Sequence, residues 1–552
     1  MELNLVDILE AIEAAHGTKE CVVVRDRNFT RAEFGDRVRR FGAVVRAAGL
    51  DIRVERDQLQ GWESGQDHVA LYLHNGNEYL EAMIGSYAAR CTAVNINYRY
   101  RAAELRYVLA DSGAKAIVYH ACFAPVLAEV VDALDEPRLL IRVDDGSGEA
   151  AVPGSIDYED ALAAADTSVL DNVERSADDL YLCYTGGTTG MPKGVLWRQG
   201  DFLVSALGIR RRNGDDIGSL DELVEAAADS SLRALPAPPL MHGAAHWNAI
   251  SALVAGGCVV MQDDTSRLDP AEVWRSVQRH RATSLLIVGD PFARPMLDEW
   301  DRAAAAGEPY EVSSLRHVLS GGAVLSPATK AALIERLGDI TIVDVLGSSE
   351  SGRQGVSQTR SNTATDANFV TSSTAVVLRD DLSGPLEAGA HEIGWLAQTG
   401  RVPLGYLGDV DKTERTFPVI NGTRHAVAGD RARLDDQGHI VLLGRDSVTI
   451  NTGGEKVFAE EVEGALTSHP AVFDAIVCGR PSERWGEEVV AVVQLRSGWS
   501  VGDTELVDHC GADLARFKVP KEIVVVERVL RSPSGKADYA WARKVAQGQT
   551  TT

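Results

Sequence analysis

Residues 184–194 read YTGGTTGMPKG, and their types are those of a phosphate grip. Gly186, Gly187 and Gly190 let main-chain N–H groups approach an anion closely. Thr185, Thr188 and Thr189 supply hydroxyl donors, and Lys193 supplies fixed positive charge. Two familiar phosphate loops do not fit. A Walker A loop runs G-x-x-x-x-G-K-[S/T] into a helix. Here Pro192 precedes the lysine and Gly194 follows it, which removes the hydroxyl for magnesium and spoils the helix start. The dinucleotide spacing G-x-G-x-x-G is absent as well.

The string resembles instead the phosphate loop of the adenylate-forming superfamily, which includes acyl-CoA synthetases, luciferases and peptide-synthetase adenylation domains. The resemblance runs over about residues 20–540, with further motifs in the family's order. Pro239-Leu240-Met241-His242-Gly243 matches the motif whose histidine sits between nucleotide and acyl pocket. Ser320-Gly321-Gly322-Ala323 matches the turn that passes beside the adenine. Asp344-Val345-Leu346-Gly347-Ser348-Ser349-Glu350 stands where the family usually reads Tyr-Gly-x-Thr-Glu. Leu346 thus replaces an adenine-flanking ring and Ser349 a threonine, while Glu350, with Thr185, matches the residues associated with magnesium.

Ala428-Gly429-Asp430 matches a Thr-Gly-Asp motif whose aspartate takes the ribose hydroxyls, and Arg445 resembles an arginine reaching ribose and phosphate. Residues 444–457 match the family's hinge, with Val448 where many members carry Asp or Lys and Asp446 as the alternative pivot. Gly453, Gly454 and Glu455 follow, where the family passes the pantetheine arm of coenzyme A. Pro533-Ser534-Gly535-Lys536 resembles the terminal catalytic motif. A single lysine near a C-terminus is ordinarily a solvated charge; its place late in the small domain, behind Ser-Gly, favours catalysis.

The resemblance implies an acid–thiol ligase using ATP, Mg2+ and coenzyme A in two half-steps. A carboxylate attacks the α-phosphorus of ATP and pyrophosphate leaves; a thiol then takes the acyl group and AMP leaves. Both first reactants are anionic, so positioning and cationic stabilisation dominate. Lys536 would bridge carboxylate and α-phosphate. Trp247, Ala252, Ala255, Gly256 and Gly289 are candidate acyl-pocket walls, mostly small, with no polar anchor for an amino group. That favours fatty or polycyclic, steroid-side-chain-like acids. A free-standing acyl-AMP ligase that loads a carrier protein shares the first half-step and is the alternative. A non-catalytic nucleotide-binding regulator is a second, against which Lys536 and Glu350 argue.

The elements that must position these residues are also legible. At 552 residues the chain is too long for one core. A formal net charge of −25 argues against nucleic acid or anionic lipid as partners, so a nucleotide must be held by local positive groups. Seven cysteines at 21, 91, 122, 183, 258, 478 and 510 form no C-x-x-C pair, which predicts reduced thiols in a cytoplasmic protein. The N-terminus reads as an amphipathic helix through Val6, Ile8, Leu9 and Ile12, not a signal peptide. The apolar stretch at 244–261 is broken by His246, Asn248 and two glycines, so no transmembrane helix is expected. A homodimer is compatible with the sequence.

Apolar strands at 69–73, 117–119 and 284–288 alternate with helices such as 78–89. The clearest unit is a strand at 315–319, a helix capped by Ser326 with Pro327 at its first position and ended by Gly338, and a strand at 341–346. This βαβ pattern predicts an α/β fold with a mainly parallel sheet. The resemblance adds a large N-terminal domain of layered α/β subdomains with a small β-barrel-like part, and a small mobile α+β C-terminal domain. A hairpin at 431–443 precedes the boundary, which divides the chain into 1–445 and 446–552. Residues 51–66 and 210–229 read as loops or lids, and 352–369 as irregular.

Overall fold

A computed structural model describes residues 2–134, 139–185, 191–211, 215–360, 369–387, 389–390, 392–531 and 535–549. Its largest sheet has nine strands. The parallel run is Thr341–Ser348, His317–Gly321, Ser284–Ile287, Arg233–Pro236, Cys258–Met261 and Glu20–Val24, in that spatial order. Antiparallel strands close both edges. A second, five-stranded parallel sheet is centred on His68–Tyr72 and Ala114–His120. The helix Asn77–Ala88 has all but one of its residues buried, the pattern of a helix packed on every side. The α/β expectation holds.

The βαβ unit forms with the anticipated chemistry. Ser326 accepts a hydrogen bond from the N–H of Thr329, Pro327 opens the helix Pro327–Leu337, and Gly338 ends it at φ +77°. The first strand runs His317–Gly321, two residues later than the apolar pattern suggested, because it pairs with Ser284–Ile287 up to Ser320. Antiparallel strands including Ala375–Leu378, Gly394–Thr399, Asp430–Leu434 and Ile440–Arg445 make a six-stranded sheet with its own small core, and the hairpin lies where it was expected.

Residues 448–546 contribute every member of a separate apolar core, built on Val472–Ser482 paired with Gly486–Leu495 and covered by the helices Ala459–Thr467 and Tyr539–Ala546. Among the described residues no helix is long and apolar enough to cross a membrane.

Two expectations fail. Residues 210–229 are not all loop: Ser219 caps the helix Leu220–Ala228, whose Leu223 and Ala227 are buried. Residues 352–369 are not all irregular: Gly352–Thr359 is a strand, paired along Thr341–Ser348, that buries Gln354, Ser357 and Thr359. Residues 51–66 are a loop, but a pinned one, with Arg53 on Asp67 and Glu55 on Arg90.

Candidate active site

In an open parallel sheet, ligands bind beyond the carboxyl ends of the strands. The motif residues gather there. His317–Gly321 ends in Gly322, at φ +86°, and Ser284–Ile287 runs into Gly289, at φ +55°. A Cβ on Gly289 would lie 2.4 Å from the carbonyl of Val324 and 2.9 Å from Ala323, so glycine lets these two turns touch. Thr341–Ser348 delivers Ser348, Ser349 and Glu350 to the same rim. Ser349 is held through its carbonyl by the indole N–H of the fully buried Trp197, at 2.9 Å.

Glu350 accepts a hydrogen bond from the Tyr406 hydroxyl at 3.0 Å. The ammonium of Lys412 sits 4.1 Å from the Tyr406 ring centre. Lys193 does not stand as free positive charge: its ammonium pairs with Asp409 at 3.0 Å, and that bond raises its pKa. Tyr406, Asp409 and Lys412 carried no motif signal; only folding brings them to Glu350 and Lys193. Gly186, Gly187, Thr188, Thr189 and Gly190 lie outside the described residues, and Thr185 ends the strand Leu180–Thr185.

Asp430 and Arg445 are partners across the hairpin, with Arg445 Nε donating to Asp430 Oδ1 at 3.2 Å. Burial pushes the Asp430 carboxyl up, against the pull of Arg445. Lys536 from the small domain lies half-buried beside these groups. Burial, then Arg445, lowers its pKa, while Glu350, Cys183 and Asp430 act to raise it. Its approach depends on Gly535, at φ +75°, where a Cβ would lie 3.1 Å from Val288 Cγ1. The Cys183 thiol is pushed up to about 11 by burial, so it stays protonated near neutrality and supplies no nucleophile.

His242 precedes the helix Gly243–Val254, and its Nε2 is buried without a hydrogen-bond partner. Burial, with Lys536 next, brings its pKa down to about 3. Its ring resonances are therefore expected to stay flat between about pH 5 and 8, where an ordinary histidine titrates, as an NMR titration would show. In the unfolded chain the ring charges near its usual ~6.5. The stability gained by keeping it neutral is present above that value and is lost as pH falls towards the folded pKa.

Behind His242, the Trp247 indole N–H donates to the Tyr181 hydroxyl at 2.6 Å, and Tyr181 also bonds His246, whose other ring nitrogen is on the Leu240 carbonyl at 2.8 Å. Tyr181 stacks on Phe202 with ring centres 3.7 Å apart. His246 is thus structural, and Tyr181 and Phe202 were missed as neighbours of Trp247.

Several expected site residues face elsewhere. Ala252, Ala255 and Gly256 are not beside His242: the ~1.5 Å rise per residue carries them about 15 Å or more along the helix. There Gly256 packs on Ala227, and Arg31 donates to the carbonyl of the next residue, Gly257, at 2.8 Å. The Asp344 side chain is paired with Lys330 at 2.5 Å, and burial pushes its carboxyl up. Leu346 belongs to the buried core that holds Val377, Leu396 and Leu434, while Val345 lies close to Gly321. Gly347 packs against Gly352, and Ser348 shares its hydroxyl with Ser351 at 2.9 Å. Gly453 and Gly454, at φ +61° and +91°, make the turn before Glu455 in a small-domain hairpin; the neighbour of Gly453 is Trp485.

A family model described as AMP-binding enzyme matches residues 9–401, and one described as AMP-binding enzyme C-terminal domain matches residues 461–536. The chain belongs to the AMP-binding enzyme family, as the motifs implied. It is 47% identical over 541 residues to the medium-chain acyl-CoA ligase Mig of Mycobacterium avium, covering 98% of this chain and 97% of the relative. It is 38% identical over 548 residues to the 3-oxocholest-4-en-26-oate–CoA ligase of Rhodococcus rhodochrous, covering 98% and 96%. Among solved structures, the anthranilate CoA ligase AuaEII in complex with anthranoyl-AMP shares the fold, with a TM-score of 0.82 at 22% identity and coverage of 99% and 98%.

Proposed function

We propose that this chain is an ATP-dependent acid–thiol ligase that activates a hydrophobic carboxylic acid as its acyl-adenylate and passes the acyl group to coenzyme A, releasing AMP and pyrophosphate. The observation that carries the reading is the placement of Lys536, half-buried, from one domain beside Glu350, Asp430 and Arg445 of the other. Two anions must meet for adenylation, and a partly desolvated ammonium at their meeting point lowers that barrier. Asp430 accepts from the ribose hydroxyls, and Arg445 orients it. His242, neutral and with an unpaired nitrogen, borders the acid beside the nucleotide.

Among the described residues no group of three or more His, Cys, Asp or Glu side chains could hold a metal. A lone carboxylate such as Glu350, completed by substrate phosphates, suits magnesium. Bound there, with Thr185 nearby, it would neutralise phosphate charge. The chain divides in this reading into 1–445 and a mobile 446–552. The pivot is Asp446, which Arg431 grips at 2.8 Å, rather than Val448, which is buried in the small domain's core. All seven cysteines are free, which suits a reducing cytoplasm.

Acids of medium chain length or with a steroid side chain are the substrates we favour, in line with the acids named for the relatives. A carboxylic-acid panel, read as pyrophosphate release with and without coenzyme A, tests the whole reading. AMP release that needs a carrier protein instead would move it to the acyl-AMP ligase alternative. Trp247 closes the space beside Gly243, with a Cβ on the glycine only 3.5 Å from its ring. Trp247→Ala is expected to shift the kcat/KM preference towards longer or bulkier acids by about tenfold, the scale set by a change of apolar pocket volume.

A further inference from the structure

One buried side chain that no motif marks bridges the two domains. Arg294 lies in the middle of the large-domain helix Gly289–Ala305 and is 5% exposed. Its guanidinium donates to three carbonyls of the small domain: Thr467 at 3.1 Å, Val472 at 3.2 Å, and Phe473. Thr467 ends the helix Ala459–Thr467, and Val472 opens the strand Val472–Ser482, so the cation covers a helix C-terminus and the turn after it. Such carbonyls carry partial negative charge and lack intrahelical partners.

On its own side Arg294 is fixed by Asp290, at 2.9 Å, and Asp290 accepts from the N–H of Ser326 at 2.9 Å. Ser326 caps the helix that follows the Gly321-Gly322 turn. The same large-domain helix touches the small domain again through Asp298, 3.8 Å from Arg496. Val288, the residue before it, is the one against which Gly535 packs, beside Lys536.

We infer that Arg294 is a positioning residue: a latch that holds the small domain in the orientation that places Lys536 in the site, and that must let go before the small domain can turn. The inference rests on the two-step reading above. Rotation of the small domain would strip Arg294 of all three carbonyls at once, so the latch favours adenylation over thioester formation. Its planar fork suits three acceptors at different angles; a lysine ammonium in its place could satisfy fewer of them.

The test separates the half-reactions. In Arg294→Ala, acid-dependent ATP–pyrophosphate exchange should fall tenfold or more, while thioester formation from supplied acyl-adenylate and coenzyme A is unchanged or faster. Arg294→Lys should fall between the two. Paired spin labels at Glu335→Cys and Ser500→Cys, in a Cys122→Ser background, give a second readout. A narrow distance distribution in the presence of ATP should broaden in Arg294→Ala. Equal loss of both half-reactions, or an exchange rate and distance distribution unchanged by Arg294→Ala, overturns the latch. If the unsubstituted protein exchanges pyrophosphate with no acid at all, the ligase reading fails instead, and the spin-label distances still decide the latch.

Discussion

Lys536→Ala is expected to slow acid-dependent adenylation by about a hundred- to a thousandfold, roughly 3–4 kcal/mol of barrier, and to leave thioester formation from supplied acyl-adenylate intact. The split follows from the geometry. Lys536 reaches the large domain on a chain turn where Gly535 packs against Val288, and on the proposed reading its charge is in place while the small domain holds this pose. The second half-reaction needs the thiol where the lysine stood. A substitution that cut both steps equally would place Lys536 in the scaffold instead. The pH dependence has a definite sign. Lys536 must be protonated to act, and burial with Arg445 lowers its pKa from the ordinary lysine value. The alkaline fall of adenylation in the free enzyme should therefore begin below the ~10.4 of a solvated lysine. It should move upward once ATP, which adds negative charge, is bound. Rates of the two half-reactions measured across pH check both statements.

What was legible in the chain is what chemistry writes into short contiguous strings. The Ser326-Pro327 helix start and the Asp430 and Arg445 ends of one hairpin needed no tertiary knowledge. The partners that set these groups did. Tyr406, Asp409 and Lys412 lie more than fifty residues beyond Glu350 and reach it because Gly405–Tyr406 pairs with Lys193–Arg198. The candidate acyl-pocket walls were chosen for their small size, with no spacing to place them. Ala252 follows His242 by ten residues, and a helix turns that interval into distance. The helix Leu220–Ala228 hid inside a polar composition, although Leu220, Leu223, Val224 and Ala227 keep its apolar period and Ser219 its cap. Gly352–Thr359 hid because its inward residues are Gln, Ser and Thr, whose burial is supported by the strand paired beside them. Arg294 gave no signal at all, since an arginine in a helix reads as a solvated charge until the second domain covers it.

Asp430→Ala is expected to raise the KM for ATP by about tenfold or more and to lower stability by about 2 kcal/mol; Asp430→Asn should recover much of the stability but little of the ATP affinity. Two separate physical terms are involved. For the nucleotide, a carboxylate accepts from both ribose hydroxyls, and a methyl group accepts from neither, so a buried donor pair loses its acceptor. For the fold, removing one member of a partly buried pair leaves the other less compensated; for a fully buried pair the cost is about 2–5 kcal/mol. Arg445 keeps 38% of its side-chain exposure, so water recovers part of that cost and the low end applies. Asn keeps an oxygen for the 3.2 Å bond from Arg445, but it brings an amide in place of the second acceptor. Arg445 is also tied through its own N–H to Glu460, at 3.3 Å, in the first turn of the small domain's helix Ala459–Thr467. On the proposed reading, loss of Asp430 is therefore expected to loosen the ribose contact and the hinge together. If the small domain's pose depends on the hinge alone, Asp430→Ala should depress exchange in step with the ATP KM. If Arg294 holds the domain independently, kcat for adenylation at saturating ATP should survive the substitution. Urea unfolding curves and initial rates at varied ATP measure the two terms separately.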